Sequence, residues 1–390
     1  MSSRIAAILI ILAVAALGGS WFLLKDEGKS SPTAVKLGQT LFPQLQAEAI
    51  ASIVVAAPDG TLTLAKKEDR WVIVEQGGFP ADIDRVTELV VKAIELKTGQ
   101  SEPIAEKERA RMLLGPPGKG EGAATSVAFK DKDGKVLAEL LVGKKYFRNE
   151  PAGDPTKALG DGRFVMLASD TTRVIVVSDP LRQASIKPVD WIAREGFGIE
   201  NVKTLDVKVA EGGYKLAREV PDGNFVLDGK GGELDPFKAS GAALALGRLE
   251  LEDLGPKEAE AGFDKGSQIV ATTFDGLTYT MKVGALAKDR YPVQVSVEGT
   301  PTRAPKPAPA KPDEKAEDKD KREKAAADEV KRFTERVARE KSLAPFVVLV
   351  AKNKLDEVLK KRDDFLKKEE KKDGDKKDGA RKDDKKGAKK

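Results

Sequence analysis

The sequence predicts an α+β protein with an N-terminal transmembrane helix, two tandem repeated α+β domains and a charged disordered tail. Three observations predict this class. A long stretch near the N-terminus carries no charge, short alternating strand patterns are interrupted by helically spaced apolar residues, and the same order of patterns returns later in the chain. The repeat of roughly 150 residues is far longer than a solenoid unit, so it indicates two domains in tandem. We expect each domain to be an antiparallel sheet with helices.

The uncharged stretch runs from Ile5 to Leu24. As a helix it would be about 30 Å long, the thickness of a bilayer's hydrocarbon core. A cleaved signal peptide has a shorter apolar core, so we expect residues 1–25 to form an uncleaved signal anchor whose partner is the lipid bilayer. Arg4 favours a cytoplasmic N-terminus, although Lys25 and Lys29 weaken the charge asymmetry that sets the orientation. The body is then expected on the periplasmic side of a bacterial inner membrane.

Cysteine and histidine are both absent from the 390 residues. Their absence excludes the usual zinc sites, a cysteine nucleophile and a Ser-His-Asp triad. The 68 basic and 63 acidic residues are mixed along the chain, and aromatic residues make up only 5% of it, which argues against a nucleic-acid-binding surface. Carboxylates, Lys, Ser, Thr and Tyr remain as candidate catalysts. We predict no enzymatic activity, no cofactor and no metal site, and the sequence leaves the oligomeric state open.

A linker at residues 26–40 leads to a first domain at residues 41–192. Asp82 precedes a helix whose apolar residues, from Ile83 to Ile94, share one face. A second helix is predicted from Ala105 to Leu114, and a third helix start at Asp179-Pro180-Leu181, with proline in the first turn. Strand patterns occupy residues 49–57, 61–66, 70–75, 125–129, 135–142, 163–168 and 173–177.

The second domain, at residues 193–366, repeats this order. A helix is predicted from Leu234 to Leu251, and strand patterns lie at residues 202–210, 214–220, 224–227, 268–274, 277–283, 291–297 and 347–352. Equivalent positions pair Trp71 with Phe225, the Asp133-Gly134 turn with Asp275-Gly276, and the closing Asp190-Trp191-Ile192 with Asp364-Phe365-Leu366.

The second domain also carries an insertion at residues 300–343. Its first part, rich in Pro, Ala and Lys, favours an extended spacer. A charged segment follows, in which Ala326, Val330, Phe333 and Val337 form one thin apolar stripe. This stripe fits either a helix that docks into a partner's groove or a solvated spacer helix. The Lys-rich residues 367–390 cannot bury a core, so we expect a disordered tail.

Two segments resemble known ligand-binding loops. Gly115 to Gly122 is glycine-rich like a phosphate-binding loop, but the Walker spacing fails because Leu113 stands where the first glycine is required. Asp131 to Gly134 resembles the opening of a calcium loop, but the twelfth position is Val142 rather than glutamate. A surface loop and a hairpin turn, respectively, explain these segments.

Paired carboxylates and aromatic residues are the remaining candidates. Asp82 with Asp84, and Glu250 with Glu252, offer acid-base chemistry, but the first pair lies at a helix start, where acids interact favourably with the helix dipole. Trp71, Trp191 and Phe225 occupy repeat-equivalent or boundary positions, which indicates core packing rather than ligand stacking. We therefore predict no catalytic, cofactor-binding or metal-binding residue.

Besides the membrane anchor, five short motifs carry a family resemblance: Leu41-Phe42-Pro43, Arg70-Trp71-Val72-Ile73, Phe79-Pro80-Ala81-Asp82, Val142-Gly143 and Asp190-Trp191. Over most of residues 41–366 the chain resembles the bacterial domain-of-unknown-function family 4340. Its members are membrane-anchored, and many are encoded beside genes for ABC transporters of the gliding-motility type, which the resemblance implies as a partner. No catalytic residues are established for the family. The insertion after Thr300 and the Lys-rich tail depart from the family pattern.

These observations favour a non-enzymatic, membrane-anchored extracytoplasmic protein that acts as an accessory or scaffold of a membrane complex, such as an ABC transporter of the gliding-motility type. Two alternatives remain open. One is a binding module for cell-envelope glycan or lipid, which would use the cleft between the repeats and the basic tail. The other is a carboxylate-dependent hydrolase, which requires acidic side chains that converge in one pocket.

Overall fold

The described strands pair only in antiparallel fashion and build two sheets. The computed structural model describes residues 37–367, except residues 69, 119, 150, 152, 155, 211, 306–308 and 310–314. Two antiparallel sheets with accompanying helices confirm the predicted α+β class. The predicted anchor from Ile5 to Leu24 and the tail beyond Lys367 lie outside the described residues. Within those residues, no helix combines the length and the apolar character that a membrane crossing needs.

The first sheet has nine strands in the order β4-β3-β2-β1-β6-β7-β8-β9-β5. Two helices accompany it, α1 (Ile83–Glu95) and α2 (Glu106–Arg109). The strands are β1 (Ser52–Ala57), β2 (Gly60–Lys67), β3 (Arg70–Ile73), β4 (Phe79–Pro80), β5 (Ser101–Pro103), β6 (Thr125–Lys130), β7 (Val136–Tyr146), β8 (Gly162–Leu167) and β9 (Asp170–Val177).

Helix α1 begins where the sequence predicts it, because the Asp82 carboxylate accepts hydrogen bonds from the backbone N–H groups of Asp84 and Arg85. Such a side-chain cap satisfies donors that have no partner inside the helix. The predicted apolar face is buried at Val86, Leu89, Val90 and Ala93. The opposite face carries charged residues, so α1 lies on the sheet with one side in water.

The second sheet has eight strands in the order β12-β11-β10-β14-β15-β16-β17-β13. Three helices accompany it: α3 (Pro236–Ala245), α4 (Ala316–Ser342) and α5 (Lys352–Leu355). The strands are β10 (Val202–Val209), β11 (Gly212–Ala217), β12 (Val226–Leu227), β13 (Asp253–Leu254), β14 (Ser267–Thr273), β15 (Leu277–Val283), β16 (Arg290–Gly299) and β17 (Val348–Ala351).

Both sheets are closed by a segment that returns to the start of the capped helix. In the first sheet the Asp82 N–H donates to the Trp191 carbonyl at 2.7 Å, and in the second the Asp235 N–H donates to the Phe365 carbonyl at 2.8 Å. Trp191 and Phe365 are both almost fully buried. The two closing segments therefore form part of the core rather than a surface loop.

One continuous hydrophobic core extends through both sheets. Phe79 of β4 contacts Phe346, which precedes β17, in an edge-to-face arrangement with ring centroids 4.9 Å apart. A smaller cluster around Leu141 and Met166 lies on a separate patch of the first sheet, against the segment that follows α2. The first and second sheets are thus joined by shared apolar contacts.

Three predicted helical segments differ from the structure. No helix starts at Asp179-Pro180-Leu181, because the Asp179 carboxylate accepts the Leu181 N–H at 2.6 Å and Leu181 adopts a left-handed backbone with φ of 47°. Helix α3 ends at Ala245 and continues only as a 3-10 turn to Arg248, short of the predicted Leu251. Helix α2 is only one turn long, followed by a 3-10 turn.

The charged second part of the insertion forms the long helix α4. Its apolar stripe is buried at Ala326, Phe333 and Val337, and the helix contacts β16 of the second sheet. The prediction of a solvated spacer helix is therefore wrong for this face. The groove that receives the stripe belongs to this same chain.

Candidate functional site

The calcium-like segment is a hairpin turn, as predicted. The Asp131 carboxylate accepts the backbone N–H groups of Asp133 and Lys135, both at 2.9 Å, and the Gly134 N–H donates to the Asp131 carbonyl. Gly134 has φ of 81°, which suits glycine. In the part of the chain that the structure describes, no three Asp or Glu residues group closely enough to hold a metal ion.

The two carboxylate pairs do not form a joint acid-base site. Asp82 caps α1, as described above, whereas Glu250 pairs with Arg248 at 2.9 Å and Glu252 pairs with Arg290 at 2.6 Å. Asp82, Glu250 and Glu252 are therefore each engaged with a different partner. Neither pair lines either of the two cavities described below.

The predicted core aromatics are buried to different extents. Trp191 is 1% exposed and its indole N–H donates to the Ser185 carbonyl at 2.8 Å. Phe225 is also buried, with the Arg218 guanidinium 4.7 Å from its ring centroid. Trp71 is half-buried and packs on the edge of the core. None of these three rings lines either of the two cavities described below.

A cavity of about 240 Å³ lies at one end of the first sheet, and we call it the Arg163 cavity. The glycine-rich loop contributes Gly120 and Gly122 to its wall, and β8 contributes Arg163. The other lining residues are Pro58, Leu113, Ala123, Thr125, Val142, Gly143 and Ala184. The register of β7 and β8 shifts between Val142 and Lys145, beside this cavity. Such bulges re-aim side chains, and they are common beside functional sites.

A larger cavity of about 540 Å³ opens on the second sheet beside β14 and β15. Its charged groups neutralise each other, because Lys282 Nζ lies 3.0 Å from Glu258 Oε1. The Lys282 ammonium also lies 5.8 Å from the centroid of the Phe263 ring. Asp264 is the remaining charged residue of the described lining, so the paired Lys282 and Glu258 leave the cavity without a free cation.

The strongest polar cluster holds α4 on the second sheet, and we call it the helix clamp: Glu340, Arg336, Glu200, Arg303 and Asp275. Glu340 is 0% exposed. Its carboxylate accepts the Gly198 N–H and the Tyr279 O–H, both at 2.8 Å. Gly198, which precedes β10, and Tyr279 of β15 therefore both donate to one carboxylate of α4.

The rest of the helix clamp is a chain of ion pairs. Arg336 donates both terminal N–H groups to Glu200, at 2.9 and 3.2 Å. Arg303 binds Asp275 at 2.8 and 3.0 Å and reaches Glu200 at 3.0 Å. The Arg303 guanidinium also lies 3.7 Å from the centroid of the Phe333 ring. Charge and aromatic contact thus fix the same turn of α4.

Burial and hydrogen bonding change the proton affinities of the helix clamp in opposite directions. Burial raises the pKa of Glu340 above its ordinary value, and the hydrogen bonds from Gly198 and Tyr279 offset this only in part. Burial alone would also raise the pKa of Asp275, but hydrogen bonds from Arg303 and Asn201 lower it. The pKa of Glu200 is lowered in the same way by Arg336 and Arg303, against its own burial.

Glu340→Gln is expected to gain stability relative to the wild type as pH rises above the ordinary pKa of glutamate, about 4. The folded pKa of Glu340 is raised, so its contribution to stability is full below the unfolded pKa and is lost as pH rises through the folded pKa. Glutamine cannot titrate and avoids this loss, while Glu200 and Asp275 titrate in both proteins. Thermal unfolding at several pH values measures the difference, with the exposed Glu335→Gln as control. A wild-type advantage that grows with pH would contradict the expected sign.

Helix α3 is apolar on both sides. Its inner face buries Ala239, Ala242 and Ala243. Its outer face exposes Phe237 at 86% and Leu244 at 77%. A helix that is apolar all round is normally enclosed by other elements. The outer face of α3, defined by Phe237, Gly241 and Leu244, therefore lacks a cover in the described residues.

These features define a two-sheet α+β protein with an arginine-lined cavity, a clamped inserted helix and an uncovered apolar helix face. The chain belongs to the family described as Domain of unknown function (DUF4340), whose model matches residues 71–266. The matched segment extends from β3 to the turn before β14, so it includes parts of both sheets. No curated protein matches the chain, and no solved structure matches it.

Proposed function

We propose that this protein is a membrane-anchored extracytoplasmic accessory or scaffold protein of a membrane complex, with an ABC transporter of the gliding-motility type as its partner. The segment from Ile5 to Leu24 would anchor it in the bacterial inner membrane with the N-terminus in the cytoplasm. The observation that carries this proposal is the uncovered outer face of α3. Exposed apolar patches on a folded body are typical of interaction surfaces.

A comparison of α3 with α1 strengthens the argument. Both helices are capped by an aspartate, but α1 exposes Asp84, Arg85 and Glu88 to solvent. At the corresponding side of α3 stand Phe237 and Leu244, seven residues apart and therefore on one face. Burial of two such side chains in a partner would contribute about 1.5–3 kcal/mol each. Folding of this chain alone does not gain that energy.

The occupant that fits this face is an apolar helix of a membrane-protein subunit. Gly241 lies between the two exposed side chains, and a Cβ added there would meet no atom within 4 Å. The glycine therefore leaves a notch that lets a second helix approach closely. The closing segment of the second sheet lies beside α3, because the Lys238 ammonium donates to the carbonyls of Asp364 and Leu366. The membrane anchor would keep this face close to such a subunit.

In this proposal the body is a tandem duplication of one α+β unit, at residues 41–192 and 193–366. The strand orders support the duplication: apart from β4, the neighbours in the first sheet correspond strand for strand with those in the second. The closing hydrogen bonds from Asp82 to Trp191 and from Asp235 to Phe365 occupy matching places. A duplicated body would present two helices in similar positions, of which only α3 has become a docking surface.

Phe237→Glu combined with Leu244→Glu is expected to abolish recovery of the transporter subunits, because two buried carboxylates replace the apolar contact. The full-length protein is purified in mild detergent, and the recovered subunits are identified by mass spectrometry. Thermal unfolding of the variant should match the wild type, since both side chains are already exposed. Gly241→Arg tests the same face independently by filling the notch.

The matched control is Leu159→Glu, which places the same charge on an apolar residue that is 67% exposed in the first sheet's loop region. It should leave the recovered subunits unchanged. Recovery of the same subunits with the double variant would exclude the outer face of α3 as the docking surface. If even the wild type recovers no integral membrane protein, the accessory or scaffold proposal fails as a whole.

A further inference from the structure

The guanidinium of Arg163 is a half-buried charge without a counter-ion among the described residues. Its Nη1 donates only to the Gly143 carbonyl, at 3.3 Å, and its Nε is buried without an acceptor. No described carboxylate lies within ion-pair distance. Burial lowers the pKa of Arg163 below its ordinary value, and no neighbouring acid raises it again. A charge in this position costs free energy unless an anion pairs with it.

The wall around this charge is held in place by backbone contacts. A Cβ at Gly122, whose φ is 75°, would lie 2.5 Å from the Ala110 carbonyl oxygen. A Cβ at Gly143 would lie 2.5 Å from the Met112 carbonyl oxygen. The segment after α2 and the glycine-rich loop therefore approach β7 as closely as backbone allows. The cavity is preformed by this packing and does not depend on a ligand to open it.

The remaining lining is mixed in a way that suits a small organic molecule. Pro58, Leu113 and Val142 provide apolar surface, and Thr125 adds a hydroxyl-bearing side chain. Small-molecule sites combine apolar walls with a few polar groups in this manner. At about 240 Å³ the cavity is below the size of drug-like sites. It therefore fits only a short ligand.

We propose that the Arg163 cavity binds a small organic anion through a carboxylate or phosphate group that pairs with the Arg163 guanidinium. The planar fork of arginine matches the oxygen pairs of both groups. The apolar residues then contact the short body of the ligand. This site lies on the first sheet and does not involve the outer face of α3, so it is a second binding function, independent of the proposed docking to a membrane complex.

The test uses full-length protein in mild detergent, with inorganic phosphate and butyrate as probes and chloride at equal ionic strength as reference. Either or both probes are expected to raise the Tm saturably, and calorimetric titration gives the affinity. Arg163→Gln is expected to weaken binding about tenfold to a hundredfold, the usual contribution of a charge-assisted hydrogen-bonded pair. Arg163→Lys should keep part of the affinity. Arg182→Gln, which removes an exposed arginine, is the matched control and should bind as the wild type does.

A further measurement separates a ligand site from a structural arginine. Without added anion, Arg163→Met should unfold at the same Tm as the wild type or at a higher one, because it removes an unpaired charge. A lower Tm in that condition would assign Arg163 to fold support and overturn the proposal. So would equal Tm values in phosphate, butyrate and chloride, or an anion effect that persists in Arg163→Gln. A response to only one probe identifies the head group.

Discussion

Glu340→Ala is expected to lower the free energy of unfolding by about 2–6 kcal/mol, because two buried donors each lose their acceptor at about 1–3 kcal/mol. The Gly198 N–H and the Tyr279 O–H both point at the Glu340 carboxylate, and the residue is fully buried. Alanine is a good helix former, so the loss would not come from helix propensity. Urea unfolding of the full-length protein in mild detergent measures the change.

Glu335→Ala is the matched control for this variant, since Glu335 lies on the same helix and is exposed. A surface substitution of this kind usually changes stability by less than about 0.5 kcal/mol. Arg336 keeps its two hydrogen bonds to Glu200 in both variants, so the comparison isolates the Glu340 contacts. Equal unfolding midpoints for the two variants would show that the helix clamp does not depend on Glu340.

Local signals predicted most of the strands and the hairpin turns between them. Asp133-Gly134 lies between two alternating patterns, and β6 and β7 pair across that turn. The burial of β15 alternates along the strand, as an antiparallel strand with one covered face should. The helix predicted to start at Asp179-Pro180-Leu181 is absent for a local reason. Aspartate before proline can cap a helix, but its carboxylate can also accept the backbone N–H two residues ahead and so turn the chain.

The candidate sites were much harder to predict, because they join residues that are far apart in sequence. Gly198 and Glu340 are 142 positions apart, and Arg163 meets a glycine-rich loop that precedes β6. One signal was present, since Glu340 continues the stripe of Phe333 and Val337 at helical spacing. A carboxylate on an apolar stripe indicates a buried polar partner. The unpaired state of Arg163 has no such sequence signal, because it depends on the absence, among the described residues, of a carboxylate near its guanidinium in the folded chain.

Phe365→Ala is expected to lower the free energy of unfolding by about 3–5 kcal/mol, the usual cost of truncating a buried phenylalanine. Phe365 is 0% exposed, and its ring centroid lies 4.3 Å from that of Tyr214. We also expect Phe365→Ala to destabilise the first sheet. The core is continuous, and Phe79 of the first sheet packs against Phe346 of the second. The cavity that Phe365→Ala leaves beside Tyr214 should therefore lower the stability of both sheets in one shared unfolding transition.

The distribution of tryptophan makes this expectation testable. The three tryptophans are Trp21, Trp71 and Trp191, so none lies in the second sheet. Tryptophan fluorescence then reports mainly on the first sheet, whereas far-UV circular dichroism reports on both. For Phe365→Ala, both signals should shift together to lower urea concentration, and the exposed Phe237→Ala should shift neither. If the two sheets share one transition, the loss of stability at Phe365 must also appear in the fluorescence of Trp191. A fluorescence transition that stays at its wild-type urea concentration would therefore mean that the two sheets unfold independently.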